Sequence, residues 1–181
     1  QALRKGRKYG EGRKIYEENR PCKGKYRKGQ DIMERRKTTG NEAELNVLVV
    51  DGQGGMVGKQ MVEAVRKMIP NAAITAVGTN TLATASMLKA GADSGATGEN
   101  SVVVAVRSAD IIVGPIGIVI ADSLLGEITP KMAEAIGSSP AKKVLIPVNK
   151  CNNIIVGVGS RSTSSLIAEA IETIRQIAGI A

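Results

Sequence analysis

The chain has 181 residues, 43% of them hydrophobic and 2% aromatic, and a formal net charge of +8. It contains no His, Phe or Trp, and its three tyrosines (Tyr9, Tyr16, Tyr26) all precede Leu45. Residues 45–181 therefore exclude a Ser-His-Asp triad, a Cys-His pair, a His-ligated metal and any ring that stacks on a base.

Residues 1–44 carry 14 Lys or Arg against 7 Asp or Glu, which leaves 11 against 10 for the remainder. The basicity thus belongs to the amino-terminal tail. Clusters such as Arg4-Lys5-Gly6-Arg7-Lys8 and Lys23-Gly24-Lys25-Tyr26-Arg27-Lys28 show no apolar periodicity. Such a segment cannot bury enough surface to offset its ordering entropy, so a disordered basic extension is expected. Its alternative is an arm that binds nucleic acid by neutralising phosphates. A third reading concerns translation. Arg27-Lys28-Gly29 can be encoded as AGG-AAA-GGA, a string resembling a ribosome-binding site, with three codons between it and Met33. On this reading the native protein starts at Met33, residues 1–32 are upstream sequence read in frame, and nucleic acid is a partner only if the tail is native.

Residues 45–181 are long enough to bury about two thirds of their unfolded surface. The core must be aliphatic. Cys22 and Cys151 make no disulfide framework, and no apolar run reaches the ~18 residues of a membrane span, so a reduced, cytoplasmic setting is expected.

Leu45-Asn46-Val47-Leu48-Val49-Val50 reads as a buried parallel strand. Val57, Met61, Val65 and Met68 then form one helical stripe, Glu63 and Lys67 pair on the same helix, and Pro70 stops it. Ala73–Val77 is a second strand, and Thr81–Lys89 a second helix ending at Gly91. Residues 99–109 fit strand or helix. Helix is preferred because Asp110-Ile111-Ile112-Val113-Gly114 is the better strand directly after it. Thr129 and Pro130 start a helix that Gly137 closes. Val144–Val148 is a strand, which the turn-rich 149–153 is expected to fold back onto Ile154–Val158 as a hairpin. A final helix places Ile167, Ala170, Ile171, Ile174 and Ile177 on one face.

Alternating strands and helices imply an α/β fold: a Rossmann-like, doubly wound, mostly parallel sheet with a carboxy-terminal hairpin edge. Ligands of such sheets bind beyond the carboxyl ends of the strands. The strongest local signal lies there. Asp51-Gly52-Gln53-Gly54-Gly55-Met56-Val57-Gly58-Lys59 joins the first strand to the first helix, with glycines spaced Gly52-x-x-Gly55-x-x-Gly58. Such a loop lets phosphate approach backbone N–H groups at a helix amino-terminus. The spacing resembles that of short-chain-dehydrogenase-like domains. It is not a P-loop, because Gln53 stands where the first glycine belongs and Gln60 where the magnesium-binding hydroxyl belongs. Where a ribose-binding acid is expected, about twenty residues on, stand Gly78, Thr79 and Asn80. The alternative is a tight turn that needs glycine and holds no ligand.

Gly114-Pro115-Ile116-Gly117 forms a second glycine turn, which the topology should bring beside the first. Asp122, Ser123 and Glu127 follow, able to hold a metal or a ligand hydroxyl, or merely to be solvated helix-end charges. Thr97-Gly98-Glu99-Asn100 reads as a loop and helix cap. Lys150 can lower the pKa of Cys151, but with no His partner a plain turn cysteine is the preferred reading.

Val49–Gly55, Gly78-Thr79-Asn80, Gly95–Asn100 and the run GPIGIVIADSLLGEITPKMAEAIGSS from Gly114 together resemble a short bacterial family, common in Firmicutes-type genomes and described as a domain of unknown function. The resemblance covers about residues 45–160 and leaves the basic tail outside. It implies a bacterial cytoplasmic protein and no established activity.

The expected function is binding of a nucleotide, NAD(P) or another, or of a phosphorylated metabolite. Gly52, Gln53, Gly54, Gly55, Gly58 and Lys59 would form the site, completed by Thr79, Asn80, Gly114 and Gly117. Gly55→Asp would then abolish binding. Asp51, Asp122, Glu127, Lys59 and Cys151 are the side chains able to react there. The alternatives are a ligand-free scaffold or homo-oligomer and nucleic-acid binding through the tail.

Overall fold

Strands whose side chains are apolar at every position must be covered on both faces, and helices supply that cover. A computed structural model describes residues 45–148 and 153–180. Its elements are β1 (Asn46–Asp51), α1 (Met56–Met68), β2 (Ala73–Gly78), α2 (Thr81–Lys89), β3 (Ser94–Thr97), α3 (Glu99–Ala105), β4 (Ile111–Pro115), a 3-10 turn (Ile116–Val119), α4 (Pro130–Ser138), β5 (Lys142–Ile146) and α5 (Thr163–Ala178). The strands form one parallel sheet in the order β3-β2-β1-β4-β5. Val49 of β1 lies opposite Ala76 of β2 and Val113 of β4. No helix among the described residues is long and apolar enough to cross a membrane.

The period-two alternation of a strand divides the core into two layers. Val47, Val49, Ile74, Ala76, Ile111 and Val113 face α1, α2 and α5 through Met61, Val65, Met87, Ile171 and Ile174. Leu48, Val50, Val77 and Ile112 face α3 and α4 through Val102, Met132 and Ile136. The α/β class, the parallel sheet and the helical choice for residues 99–105 agree with the sequence reading.

Four details differ. The hairpin edge is absent among the described residues, and β5 is itself the edge, parallel to β4. The chain turns at Pro147, where the Val148 N–H bonds back to the Ile146 carbonyl at 2.9 Å. Gly157 then takes φ 90 and Gly159 φ 61, values that no strand can use. Strand β3 was not expected, because Ser94–Thr97 is exposed throughout and has no apolar run to reveal it. Met68 stands half exposed beyond its stripe, and the ion pair on α1 joins Glu63 to Lys59 at 3.8 Å. Helix α4 runs through Gly137 to Ser138. The basic tail, the start at Met33 and the turn holding Cys151 lie outside the described residues.

At the opposite end of the sheet from the glycine loops, one guanidinium ties two loops to α1. Arg66 donates to the carbonyls of Pro70 (2.8 Å), Ala72 (3.0 Å) and Gly91 (3.2 Å) and to Asp93 (2.6 Å). The Ile74 N–H, against the cost of burial and with help from Arg66, holds the Asp93 carboxyl below its usual pKa. Arg66→Ala should cost about 2 kcal/mol in urea unfolding, because it removes the donors of three loop carbonyls and the cation paired with Asp93. Arg66→Lys should recover less than half of that loss, since an ammonium cannot present the planar fork.

Candidate functional site

In the order β3-β2-β1-β4-β5 the chain reverses direction across the sheet between β1 and β4. The loops after these two strands part there and leave a crevice. The crevice is lined by Asp51–Val57 after β1, by Pro115, Ile116, Gly117, Ser123 and Leu124 at and after β4, and by Val148 and Asn153 after β5. It holds about 640 Å³ counted out to its open mouth.

The floor is built by Asp51, the last residue of β1, which is 4% exposed. Its Oδ1 accepts from the Gly52 N–H at 2.8 Å and its Oδ2 from the Gly58 N–H at 2.7 Å. The N-cap of α1 is Gly55, which has no side chain to offer, so Asp51 caps the helix from outside it. A carboxylate is also the favoured charge at that end of the helix dipole. The turn is closed by Gly55 N–H to Gly52 O at 2.9 Å and Lys59 N–H to Gly55 O at 2.8 Å. The N–H groups of Gly54, Met56 and Val57 meet no acceptor among the described residues. All three residues line the crevice.

The glycines divide by role. Gly55 has φ 66, and a Cβ on it would lie 2.7 Å from the Ala83 Cα of α2. Gly58 is pressed against Met87 and Asp51. Gly114 sits in β4 against the Val50 carbonyl oxygen. These three are packing glycines. Gly54 is the reverse, with nothing within 4 Å of where its Cβ would stand.

Of the residues expected from the sequence, Gly52, Gln53, Gly54, Gly55 and Gly117 line the crevice, and Gly58, Lys59, Thr79, Asn80 and Gly114 lie outside its lining. Lys59 points along α1 toward Glu63. Thr79 and Asn80 work on loop structure. Asn80 caps α2 by accepting from the Ala83 N–H at 2.9 Å and donates to the Gln53 carbonyl at 3.0 Å.

Glu127 joins these loops. Its Oε2 accepts from the Gln53 N–H at 2.8 Å, from Asn80 Nδ2 at 3.1 Å and from the Thr79 hydroxyl. All three bonds fall on the same carboxylate oxygen. Among the described residues no set of three Asp, Glu or Cys side chains gathers to hold a metal ion. Burial raises the pKa of Glu127, but donation from Thr79, Gln53 and Asn80 outweighs it and leaves the carboxyl below its ordinary value.

The segment that delivers Glu127 is unusual in backbone. Asp122, Leu124 and Leu125 have φ of 60, 54 and 61. Left-handed backbone costs a non-glycine residue about 1–2 kcal/mol. Burial of Leu124 and Ile128 offsets that cost, together with bonds from Ser123 Oγ to Gly117 O (2.5 Å) and from Asp122 N–H to Ile128 O (2.8 Å). The sequence reading missed Met56, Val57, Ser123, Leu124, Val148 and Asn153 as crevice residues. Only Ser123 and the glycine turns around it carried any signal.

The chain belongs to the family described as Domain of unknown function (DUF3842), whose model matches residues 46–179. No curated protein matches it. Among solved structures it is similar to a nucleoside-diphosphate-sugar epimerase from Pseudomonas aeruginosa, at 14% identity and a TM-score of 0.41 over 75% of this chain and 48% of that one. It thus spans about half the length of that protein. It is also similar to a dodecameric FMN-dependent UbiX-like decarboxylase from Escherichia coli O157:H7, at 16% identity and a TM-score of 0.38 over 76% of this chain and 78% of that one.

Because the folded-state pKa of Glu127 is depressed, its contribution to stability is present above the ordinary glutamate value of 4.5 and lost as pH falls below it. Glu127→Ala should cost about 2 kcal/mol at neutral pH. In urea unfolding at a series of pH values, the gap between wild type and variant should stay constant from neutral pH down to the ordinary glutamate value and narrow below it. A gap independent of pH would mean that the charge is not what holds the loops.

Proposed function

We propose that this member of the DUF3842 family binds a phosphorylated ligand of the nucleotide class, its phosphate on the amino-terminus of α1 and its body in the crevice. One observation carries the reading: the N–H groups of Gly54, Met56 and Val57 have no acceptor among the described residues, and all three residues line the crevice where strand order reverses. Amide donors and the positive end of a helix dipole together favour an anion. The walls beside them, Met56, Pro115, Ile116, Leu124 and Val148, are apolar and suit the body of a nucleotide or a comparable metabolite.

The polar side chains near the anion position are engaged in holding loops. Asp51 caps α1, Ser123 donates to Gly117 O, and Glu127 joins Gln53 to Thr79 and Asn80. The reading is therefore one of binding, and no reacting group is assigned. A second reading, contact with another copy of the chain, draws on Leu125, Ile154 and Val156, which are at least 90% exposed.

Gly55→Asp does not test the first reading, because Gly55 packs on Ala83 at a left-handed φ and its loss would disturb the helix pair itself. Gly54→Asp does. Its Cβ enters open space, so thermal stability should change by less than about 0.5 kcal/mol. The added carboxylate would face the phosphate and should weaken binding more than tenfold. The measurement is native mass spectrometry of the full chain purified without ligand, followed by calorimetry with a nucleotide panel and inorganic phosphate. The full chain has three tyrosines and no Trp or Phe, so absorbance at about 260 nm from a co-purified nucleotide stands out. A bare mass and no heat with any member of the panel would defeat the reading. An oligomeric mass indifferent to nucleotide would favour the second.

A further inference from the structure

A dinucleotide laid across a strand-order reversal needs room on both sides of the helix amino-terminus. In this sheet the two sides are unequal. Glu127 belongs to the segment after β4, yet its Oε2 accepts from Gln53 N–H after β1 at 2.8 Å, and from Asn80 Nδ2 at 3.1 Å and the Thr79 hydroxyl after β2. The side chain therefore spans the carboxyl end of β1. Gly52 lies directly beneath it. A Cβ on Gly52 would come within 2.7 Å of both Glu127 Oε2 and Thr79 Oγ1, and within 2.9 Å of Leu124 Cδ1.

At the end of β2 the side-chain donors of Thr79 and Asn80 are already used. The Thr79 hydroxyl donates to Glu127. Asn80 divides Nδ2 between the Gln53 carbonyl and Glu127, and gives Oδ1 to the Ala83 N–H. On the other side the crevice is lined by Pro115 at the end of β4, Ile116 after it and Val148 after β5.

We infer that Glu127 determines specificity by closing the β2 side: the crevice takes a ligand that ends at its phosphate, a mononucleotide whose body lies over β4 and β5, and rejects the same ligand extended to a dinucleotide. The inference rests on the phosphate-binding reading above. Two effects act together. The bridge occupies the path the second nucleoside would follow. Its carboxylate, surrounded by donors, also stays ionised and opposes a second phosphate beside Gly52.

The test uses matched pairs in which the larger member is the smaller one plus AMP on the same phosphate: NMN against NAD+, and FMN against FAD. Affinities are measured on the full chain by calorimetry, and for the flavins by fluorescence as well. Wild type should bind at least one mononucleotide at least tenfold more tightly than its dinucleotide. Glu127→Ala should bring that ratio to threefold or less, a ratio in which any loss common to both ligands from the loosened Gln53 loop cancels.

Equal affinity within both pairs in wild type would overturn the inference and leave the phosphate reading standing. A tenfold ratio that persists in folded Glu127→Ala, with unchanged far-ultraviolet circular dichroism, would overturn the role given to Glu127. If Glu127→Ala does not fold, the wild-type ratio still decides whether the β2 side is closed. Binding of inorganic phosphate without either mononucleotide would overturn the ligand class. Silence toward inorganic phosphate, pyrophosphate and all four nucleotides would overturn the phosphate reading itself, and the inference with it.

Discussion

The carboxylate of Asp51 holds the corner between β1 and α1, and the geometry of the crevice depends on it. A parallel strand must hand over to a helix within a few residues, and the first N–H groups of that helix have no partner inside it. A Ser or Thr at the N-cap is the common solution, and α2, α4 and α5 use Asn80, Thr129 and Ser162 in that way. In α1 the N-cap is Gly55, whose left-handed backbone lets the helix start hard against Ala83. The capping charge is supplied from the end of β1, where Asp51 is almost wholly buried and bonded to both Gly52 and Gly58. Moving the cap out of the loop removes a side chain from the place where the remaining N–H groups emerge.

The second constraint comes from the opposite direction in sequence. Gln53 holds φ 51, and its N–H is taken by Glu127, 74 residues away. That bond fixes the loop above β1 to the segment after β4 and, through Thr79 and Asn80, to the end of β2. Three loops that a doubly wound sheet would otherwise leave independent become one rigid lip. The left-handed run at Asp122, Leu124 and Leu125 is the conformational cost of that lip, offset by the burial of Leu124 and Ile128.

The sequence reading reached the sheet and the first glycine loop, and the reasons are local. Val47–Val50 and Ile111–Val113 are unbroken apolar runs, and each is followed by glycine at the strand end, so periodicity and turn chemistry agree. It failed where neither signal exists. Ser94–Thr97 pairs with β2 through backbone alone, with every side chain exposed. Ile154 and Val156 look like strand residues, but both are more than 90% exposed, and Gly157 and Gly159 at positive φ break any strand there. Thr79 and Asn80 were read as ligand groups because they occupy the position of a ribose-binding acid. Their true partner, Glu127, lies nearly 50 residues on and is invisible to any spacing rule. The left-handed backbone of Leu124 and Leu125 carries no sequence mark at all, since leucine does not favour it.

These observations also separate what the glycines are for. In the motif Gly52-Gln53-Gly54-Gly55, identical residues answer to different constraints. Gly52 is small because a carboxylate and a hydroxyl cross directly above it, and Gly55 because α2 lies against it at a backbone angle that side chains avoid. Neither demand involves a ligand, so both would persist in a protein that bound nothing. Gly54 has no such reason, since its φ is not left-handed and no protein atom crowds its missing Cβ. Within this motif Gly54 is the glycine that protein packing least requires, and on the proposed phosphate reading it is also the one beside the anion.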